Sequence, residues 1–275
     1  MSLHTFALNL QKQYQLKKRE IDVVIGYVLG INSAALMIYD KELQQHQKNK
    51  IHQFLKKRQQ GVPFAYLSGV KDFWSLTLQV NKYTLIPRPE TELIIEYVLT
   101  KTPTDFDGSI LDLGTGTGAI ALSLALERPQ AKIVAVDKCI ECVKTTTVNK
   151  QAYQIINTEV LQSNWFEKLK GRTFDFILSN PPYIANDDPH MHDLQFEPRS
   201  ALVAEDNGYS DLDHIIIQAK DYMNINAELV LEHGYNQAIT IKQKLQSNCY
   251  INVKLHQDLA GIERITTADV PKSCY

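Results

Sequence analysis

Seven residues, Asp112-Leu113-Gly114-Thr115-Gly116-Thr117-Gly118, constrain this chain more than any other stretch. They separate a short apolar run, Ile110–Leu113, from a longer one, Ala119–Leu126. The first has the length of a buried strand and the second that of a helix. Glycines between a strand and a helix permit positive φ in a tight turn and let a ligand lie against the backbone. The next apolar run, Ile133–Val136, ends at Asp137, 23 residues after Gly114. A carboxylate in that place accepts hydrogen bonds from ribose hydroxyls. Turn and carboxylate together predict a nucleoside-bearing cofactor across the first two strands. Gly114, Gly116 and Ala119 also satisfy the dinucleotide pattern, so the turn alone leaves a nicotinamide cofactor open.

From Ser109 onward strands and helices alternate. Strands are expected at Ile110–Leu113, Ile133–Val136, Thr158–Leu161, Phe174–Leu178, Ala227–Leu231, Ile251–Leu255 and Arg264–Thr267. Helices are expected at Ala119–Leu126, Ile140–Asn149, Ile215–Met223 and Gln237–Leu245. Such alternation predicts an α/β fold, a parallel sheet covered on both faces with its ligands beyond the carboxyl ends of the strands. Upstream the pattern differs. Ile21, Val24, Ile25, Val28 and Leu29 recur at helical spacing before Gly30, and a polar helix runs from about Lys41 to Gln59. Gly61 and Pro63 break it, and the alternation of Leu76, Leu78 and Val80 predicts a β-hairpin within Phe64–Leu85. Three parts result: a helical domain over 1–62, a hairpin linker over 63–85, and a catalytic domain over 86–275.

Charge divides along the same line. Residues 1–84 carry 12 Lys+Arg against 5 Asp+Glu, and residues 85–275 carry 17 against 26. The basic segment suits an acidic partner, although a single run such as Lys56-Lys57-Arg58 is equally the solvated face of a helix. No apolar run reaches the ~20 residues of a membrane span, and the first sixteen residues lack a signal pattern, so a cytoplasmic protein without membrane contact is expected. Cys139, Cys142, Cys249 and Cys274 make no disulfide framework in a chain this long. Cys139-x-x-Cys142 lacks the second ligand pair of a zinc site and is expected to pack.

The decisive segment is Asn180-Pro181-Pro182-Tyr183, directly after the strand Phe174–Leu178. Two prolines fix φ twice and remove two backbone donors, leaving a stiff turn with the Pro181 carbonyl beside the Asn180 side chain. Two fixed acceptors and a ring suit the grip of an –NH2 group on a planar substrate. A conjugated nitrogen is a poor nucleophile, so a site gains chiefly by holding both N–H groups and aiming the nitrogen at an electrophile. No base of tuned pKa is needed beforehand, because the proton leaves after the nitrogen becomes cationic. Hydride transfer has no use for such a clamp, and the nicotinamide reading recedes.

Asp112–Gly118, Asp137 and Asn180–Tyr183 resemble class I methyltransferases acting on exocyclic or amide nitrogen. Pro63–Gly69 with Phe73, Ile86-Pro87-Arg88-Pro89-Glu90-Thr91-Glu92, Phe196-Glu197-Pro198, and Asp258–Gly261 with Arg264 resemble, within that group, the HemK/PrmC family of peptide chain release factor N5-glutamine methyltransferases. The resemblance spans nearly the whole chain. It implies a Rossmann-like, mostly parallel seven-stranded sheet and a small helical N-terminal domain, which the basic charge of residues 1–84 marks as the part that docks the substrate. It implies S-adenosylmethionine as methyl donor, S-adenosylhomocysteine as product and no metal. It implies the glutamine of a Gly-Gly-Gln motif in peptide chain release factors as acceptor, with no direct nucleic-acid contact. Residue by residue, Gly114, Thr115, Gly116, Thr117 and Gly118 would hold the methionine end of the donor, Asp137 its ribose and Trp165 its adenine, with Asn180 also touching the donor. Asn180, Pro181, Pro182 and Tyr183 would bind the substrate amide, and Asn180, Pro181 and Tyr183 would carry the catalysis. Two departures stand out: Asn164 where members often have Asp, and Glu205-Asp206-Asn207-Gly208, poorer in glycine than usual.

Other readings compete. An N6-adenine DNA or N2-guanine RNA methyltransferase would use the same clamp, but duplex binding calls for a basic surface and the catalytic segment is acidic. A non-catalytic adaptor would have no reason to keep both Asp137 and Asn180. Asp187, Asp188, His190, His192 and Asp193 crowd one loop, yet methyl transfer from a sulfonium requires no metal there. His233 is expected to be structural, and Arg88, Glu90 and Glu197 to serve equally as surface ion pairs or as loop order.

Overall fold

The computed structural model describes residues 3–271 and divides the chain into two compact units, Met1–Gly69 and Val70–Tyr275. Cys274 and the side chain of His190 lie outside the described residues. The first unit is helical: α1 (Leu3–Tyr14), α2 (Lys18–Leu29), α3 (Ser33–Met37), α4 (Gln45–Gln59) and α5 (Phe64–Ser68). Its core joins Leu10, Ile21, Val24, Ile25, Ile51 and Leu55, each fully buried and worth roughly 1.5–3 kcal/mol. Gly30 ends α2 in the left-handed region at φ 67°, where a side chain would be strained. The polar helix starts at Gln45 rather than Lys41, because the backbone N–H of Gln44 is capped by Gln47 Oε1 at 2.9 Å. Of the basic run, Lys56 and Lys57 are exposed. Arg58 instead pairs with Glu20 at 2.5 Å and donates to the Val62 carbonyl at 2.6 Å, tying α4 to α2.

The hairpin comprises β1 (Val70–Phe73) and β2 (Leu76–Gln79), antiparallel, with Phe73 opposite Leu76. It opens the second unit, where Phe73, Leu76 and Leu78 pack in one cluster with Ile94, Ile95 and Val98 of α6 (Glu92–Lys101). Residues 64–68, expected within the hairpin segment, are helical, bounded by Pro63 and by Gly69 at φ 77°.

The sheet that follows contains β3 (Ser109–Leu113), β4 (Lys132–Asp137), β5 (Thr158–Gln162), β6 (Phe174–Ser179), β7 (Met223–Glu232), β8 (Ile251–Gln257) and β9 (Glu263–Asp269). Their order is β5-β4-β3-β6-β7-β9-β8. The first five run parallel, and β9 lies antiparallel to both β7 and β8. The reversal has a local cause. Only a short turn joins β8 to β9, closed by Asp258, which accepts from Ile262 N at 3.0 Å and pairs with Arg264 at 3.0 Å. Crossover helices α7 (Ala119–Glu127) and α8 (Ile140–Ala152) follow β3 and β4, and helices Ser210–Gln218 and Ala238–Ser247 flank β7. The helix expected over Ile215–Met223 begins and ends earlier, and Met223 already belongs to β7. This is the mostly parallel seven-stranded α/β sheet of class I methyltransferases.

Candidate active site

Strand order reverses between β3 and β6, which places the crevice of a doubly wound sheet between their carboxyl ends. The register pairs Leu113 with Ser179, and the Ser179 hydroxyl donates to the Leu113 carbonyl at 2.8 Å. The glycine turn and Asn180 are therefore neighbours, although Leu113 and Ser179 stand 66 positions apart. On the other side Leu113 pairs with Val136, so Asp137 emerges beside the same turn.

The turn is held from several directions. Gly114, Gly116 and Gly118 have φ of 75°, 58° and 85°. The backbone N–H groups of Gly114 and Thr115 both donate to the Val136 carbonyl at 2.9 Å. Asp137 accepts from Gly116 N at 2.9 Å and from Cys139 N at 2.8 Å, so its carboxylate fastens the turn to the start of α8. Burial raises its pKa, opposed by these two N–H groups. Thr146 donates to the Gly116 carbonyl at 3.0 Å. Asn149, almost fully buried, donates to the carbonyls of Thr117 at 2.9 Å and Gln79 at 3.1 Å, joining turn to hairpin. Beneath the turn, Asp112 accepts from the Thr115 hydroxyl at 2.7 Å, and its Oδ1 is buried with no hydrogen-bond partner among the described residues. Burial pushes its carboxyl up to about 7.

Gly114, Thr115, Gly116, Thr117, Asp137, Trp165, Asn180 and Pro182 line one cavity. Gly118, Pro181 and Tyr183 do not border it. Gly118 starts α7 and packs on Leu122 and Thr146. Trp165, itself at φ 48°, lies across from Gly114, whose added Cβ would stand 3.6 Å from the indole. Gly116 offers open space, with nothing nearer a Cβ than 4.0 Å. An open glycine cradle, a carboxylate and a flat indole in one cavity fit the parts of an amino-acid nucleoside.

At the clamp, Asn180 Nδ2 donates to Thr91 Oγ1 at 3.1 Å, which commits the amide nitrogen and leaves the oxygen as the end available to a ligand. Pro181 and Pro182 are buried. The Tyr183 ring packs against the core and its hydroxyl donates to Glu232 Oε1 at 3.3 Å. Burial and the adjacent carboxylate raise the pKa of this phenol. Glu232, at the end of β7, is almost completely buried; burial pushes its carboxyl up to about 7. Glu197 is buried as well, accepting from Ile86 N at 3.0 Å and pairing with Arg88. It orders the Ile86–Glu92 segment and is no surface ion pair.

Both ring nitrogens of buried His233 are engaged, with Gly234 O at 3.0 Å and Thr266 Oγ1 at 2.8 Å. A carbonyl only accepts, so Nδ1 carries the proton; the ring is structural. Asn164 is exposed, borders the cavity and donates to Glu167 at 3.0 Å. Gly208 follows Asp206 and Asn207, all three at positive φ, and a Cβ on it would meet the Tyr183 carbonyl at 2.2 Å. Among the described residues, no three His, Cys, Asp or Glu side chains gather to hold a metal.

Residues 3–69 match the family model described as PrmC N-terminal domain, and residues 90–197 that described as Methyltransferase small domain. A release factor glutamine methyltransferase from Salmonella typhimurium is 42% identical over 263 residues, 94% of this chain and 95% of that one. This chain belongs to the release factor glutamine methyltransferase family. A relative of the same name from Escherichia coli is 41% identical over 252 residues, covering 90% and 91%. A solved methyltransferase from Pyrococcus furiosus shares the fold, with a TM-score of 0.55 and 20% identity over 78% of this chain and 98% of that one. In this member of the release factor glutamine methyltransferase family, Thr91, Cys139, Cys142 and Glu232 join the site without being among the residues expected there from the sequence. The first three line the cavity, and Cys142 Sγ donates to the Tyr83 carbonyl at 3.2 Å. A carboxylate ending the apolar run Leu229–Leu231 was the one legible signal for Glu232.

Proposed function

We propose that this chain transfers the methyl group of S-adenosylmethionine to the side-chain nitrogen N5 of the glutamine in the Gly-Gly-Gln motif of peptide chain release factors. The observation carrying this is Asn180: its nitrogen is committed to Thr91, so its oxygen is the end available to accept a substrate N–H. The Pro181 carbonyl takes the second N–H. Holding both hydrogens aims the nitrogen lone pair, and the two bonds strengthen as the amide loses conjugation during attack. Bound S-adenosylmethionine supplies an electrophilic methyl on a sulfonium. Gly114, Thr115, Gly116 and Thr117 would take its methionine end, Asp137 its ribose, and Trp165 its adenine. Gly118 supports this arrangement by letting the turn enter α7. The names of the relatives support release factors as partners, and the acidic catalytic segment argues against a duplex substrate. Among the described residues no helix is long and apolar enough to cross a membrane, in keeping with the cytoplasmic work of translation.

The test offers labelled methyl donor with unmodified release factor, duplex DNA or RNA in separate reactions, and locates the label by mass spectrometry. Label on the motif glutamine is expected. Label on a base and none on the factor refutes the reading.

A further inference from the structure

Asn180 is useful only in one of its two amide orientations, and what selects that orientation lies one residue further back. Thr91 Oγ1 accepts from Asn180 Nδ2 at 3.1 Å, so its own proton must point elsewhere. The hydroxyl faces the carboxyl of Glu232 closely enough to favour its charged form, at a geometry short of a full hydrogen bond. Glu232 Oε1 accepts from the Tyr183 hydroxyl at 3.3 Å, while Oε2 is buried with no hydrogen-bond partner among the described residues. A buried carboxylate with a spare oxygen thus sits beside the two groups that shape the clamp, Thr91 and Tyr183. Burying it unpaired is costly, which asks for a role.

We propose that Glu232 is a positioning residue, its ionised carboxylate holding the Thr91 hydroxyl so that Asn180 presents its oxygen to the substrate amide. The inference rests on amide methylation as proposed above. An ionised carboxylate only accepts. It draws the protons of Thr91 and Tyr183 toward itself and leaves a Thr91 lone pair for Asn180 Nδ2. A protonated carboxyl owns a donor of its own. It gives that proton to Thr91 Oγ1, whose own proton then turns toward Asn180 and favours the amide oxygen there, so that the nitrogen faces the substrate. An Asn180 nitrogen facing a substrate –NH2 opposes donor to donor, and the clamp is lost.

The groups around Glu232 are few. Tyr183 comes from the loop after β6, Thr91 and Glu90 from the turn before α6, and Arg264 from β9. Arg264 favours the charged form and Glu90 opposes it, while burial outweighs both. Arg264 is already paired with Asp258, and Arg88, which faces Tyr183, with Glu197. With its carboxyl pushed up to about 7, Glu232 changes state within the range where a translation enzyme works.

The experiment follows single-turnover methylation of intact release factor at saturating donor, from pH 5.5 to 9. The wild-type rate should rise through one ionisation near 7 and level off, with donor affinity by calorimetry unchanged. Glu232→Gln copies the protonated form. It should be about tenfold to a hundredfold slower at pH 8, flat with pH, and equal to wild type at pH 5.5. That convergence is what a merely structural side chain would not produce. Thr91→Val keeps the shape and removes the hydroxyl, so it should also be slow and flat, and it carries the test if the Gln variant does not fold. A wild-type rate without an inflection, or either variant retaining it, overturns the role of Glu232 and leaves amide methylation standing. Absence of label on the factor at every pH overturns both.

Discussion

Two alanine substitutions, at Gly116 and Gly118, should act on different properties of the protein. Gly118 stands at φ 85°, and an L-residue in the left-handed region costs about 1–2 kcal/mol. A Cβ there would also lie 2.7 Å from Leu122 Cδ1 and 2.8 Å from Thr146 Cγ2. Both neighbours are fully buried, and overpacking of this kind costs about 1–3 kcal/mol. Thr146 cannot retreat freely, because its hydroxyl holds the Gly116 carbonyl. Gly118→Ala should therefore lose roughly 2–5 kcal/mol of stability. Gly116 at φ 58° has no atom within 4 Å of an added Cβ except the Gly114 carbonyl at 4.0 Å. Gly116→Ala should cost only the left-handed penalty of about 1–2 kcal/mol, without the overpacking, yet its methyl enters the cavity and should weaken cofactor binding. Urea unfolding of the free protein and calorimetry with S-adenosylhomocysteine separate the two effects. If Gly118→Ala unfolded at the wild-type midpoint, the steric account of the turn would be wrong.

The other expected outcomes are briefer. Asn180→Ala should lower the single-turnover rate by about 10²–10³ with donor affinity nearly kept, and Asn180→Asp, which keeps an acceptor, should retain measurable activity; near wild-type turnover of the Ala variant in a rapid-quench assay would remove the clamp. Reversing exposed Lys56 and Lys57 to Glu should raise KM for the whole release factor and flatten its salt dependence, while a short glutamine peptide is affected little. Arg58 is left in place because its pairing with Glu20 is part of the fold. For Asp112 the folded pKa, about 7, lies above its ordinary 3.8, so its stabilising contribution is complete below about pH 4 and lost as pH rises through 7. Acting alone it would lower stability by on the order of 4 kcal/mol across that window, and Asp112→Asn should show a flatter curve of unfolding free energy against pH. Identical slopes for the two proteins would exclude it.

Much of the architecture was legible because its signals are local. Alternating apolar runs gave the strands, and positive-φ glycines gave the turn. Asp137 was visible as the residue ending a strand beside that turn, although its second duty, accepting from Gly116 and Cys139, depends on the geometry of the helix start. The roles of Thr91 and Glu232, as distinct from their positions, were illegible for a physical reason. Each acts through a partner supplied by distant chain: Asn180 is 89 positions from Thr91, and Tyr183 is 49 from Glu232. Their meeting follows from the register of β6 against β7 and from the seat of α6, which no periodicity records. Arg58 is a similar case, since its pairing with Glu20 depends on how α4 packs on α2. The antiparallel ending departs from the parallel sheet that the alternation predicts, because no crossover helix separates β8 from β9.

The hairpin decides where this chain can be cut. Phe73, Leu76 and Leu78 belong to the interior of the second unit, and Gln79 exchanges two hydrogen bonds with Asn149, the same side chain that holds Thr117. A deletion ending at Leu85 would strip a wall from the hydrophobic interior and release one of the moorings of the glycine turn. A deletion ending at Gly69 removes a whole folded unit and leaves every one of those contacts intact. The natural seam for exchanging N-terminal helical units between relatives is the Gly69–Val70 bond, upstream of the segment that looks, in sequence, like a connector.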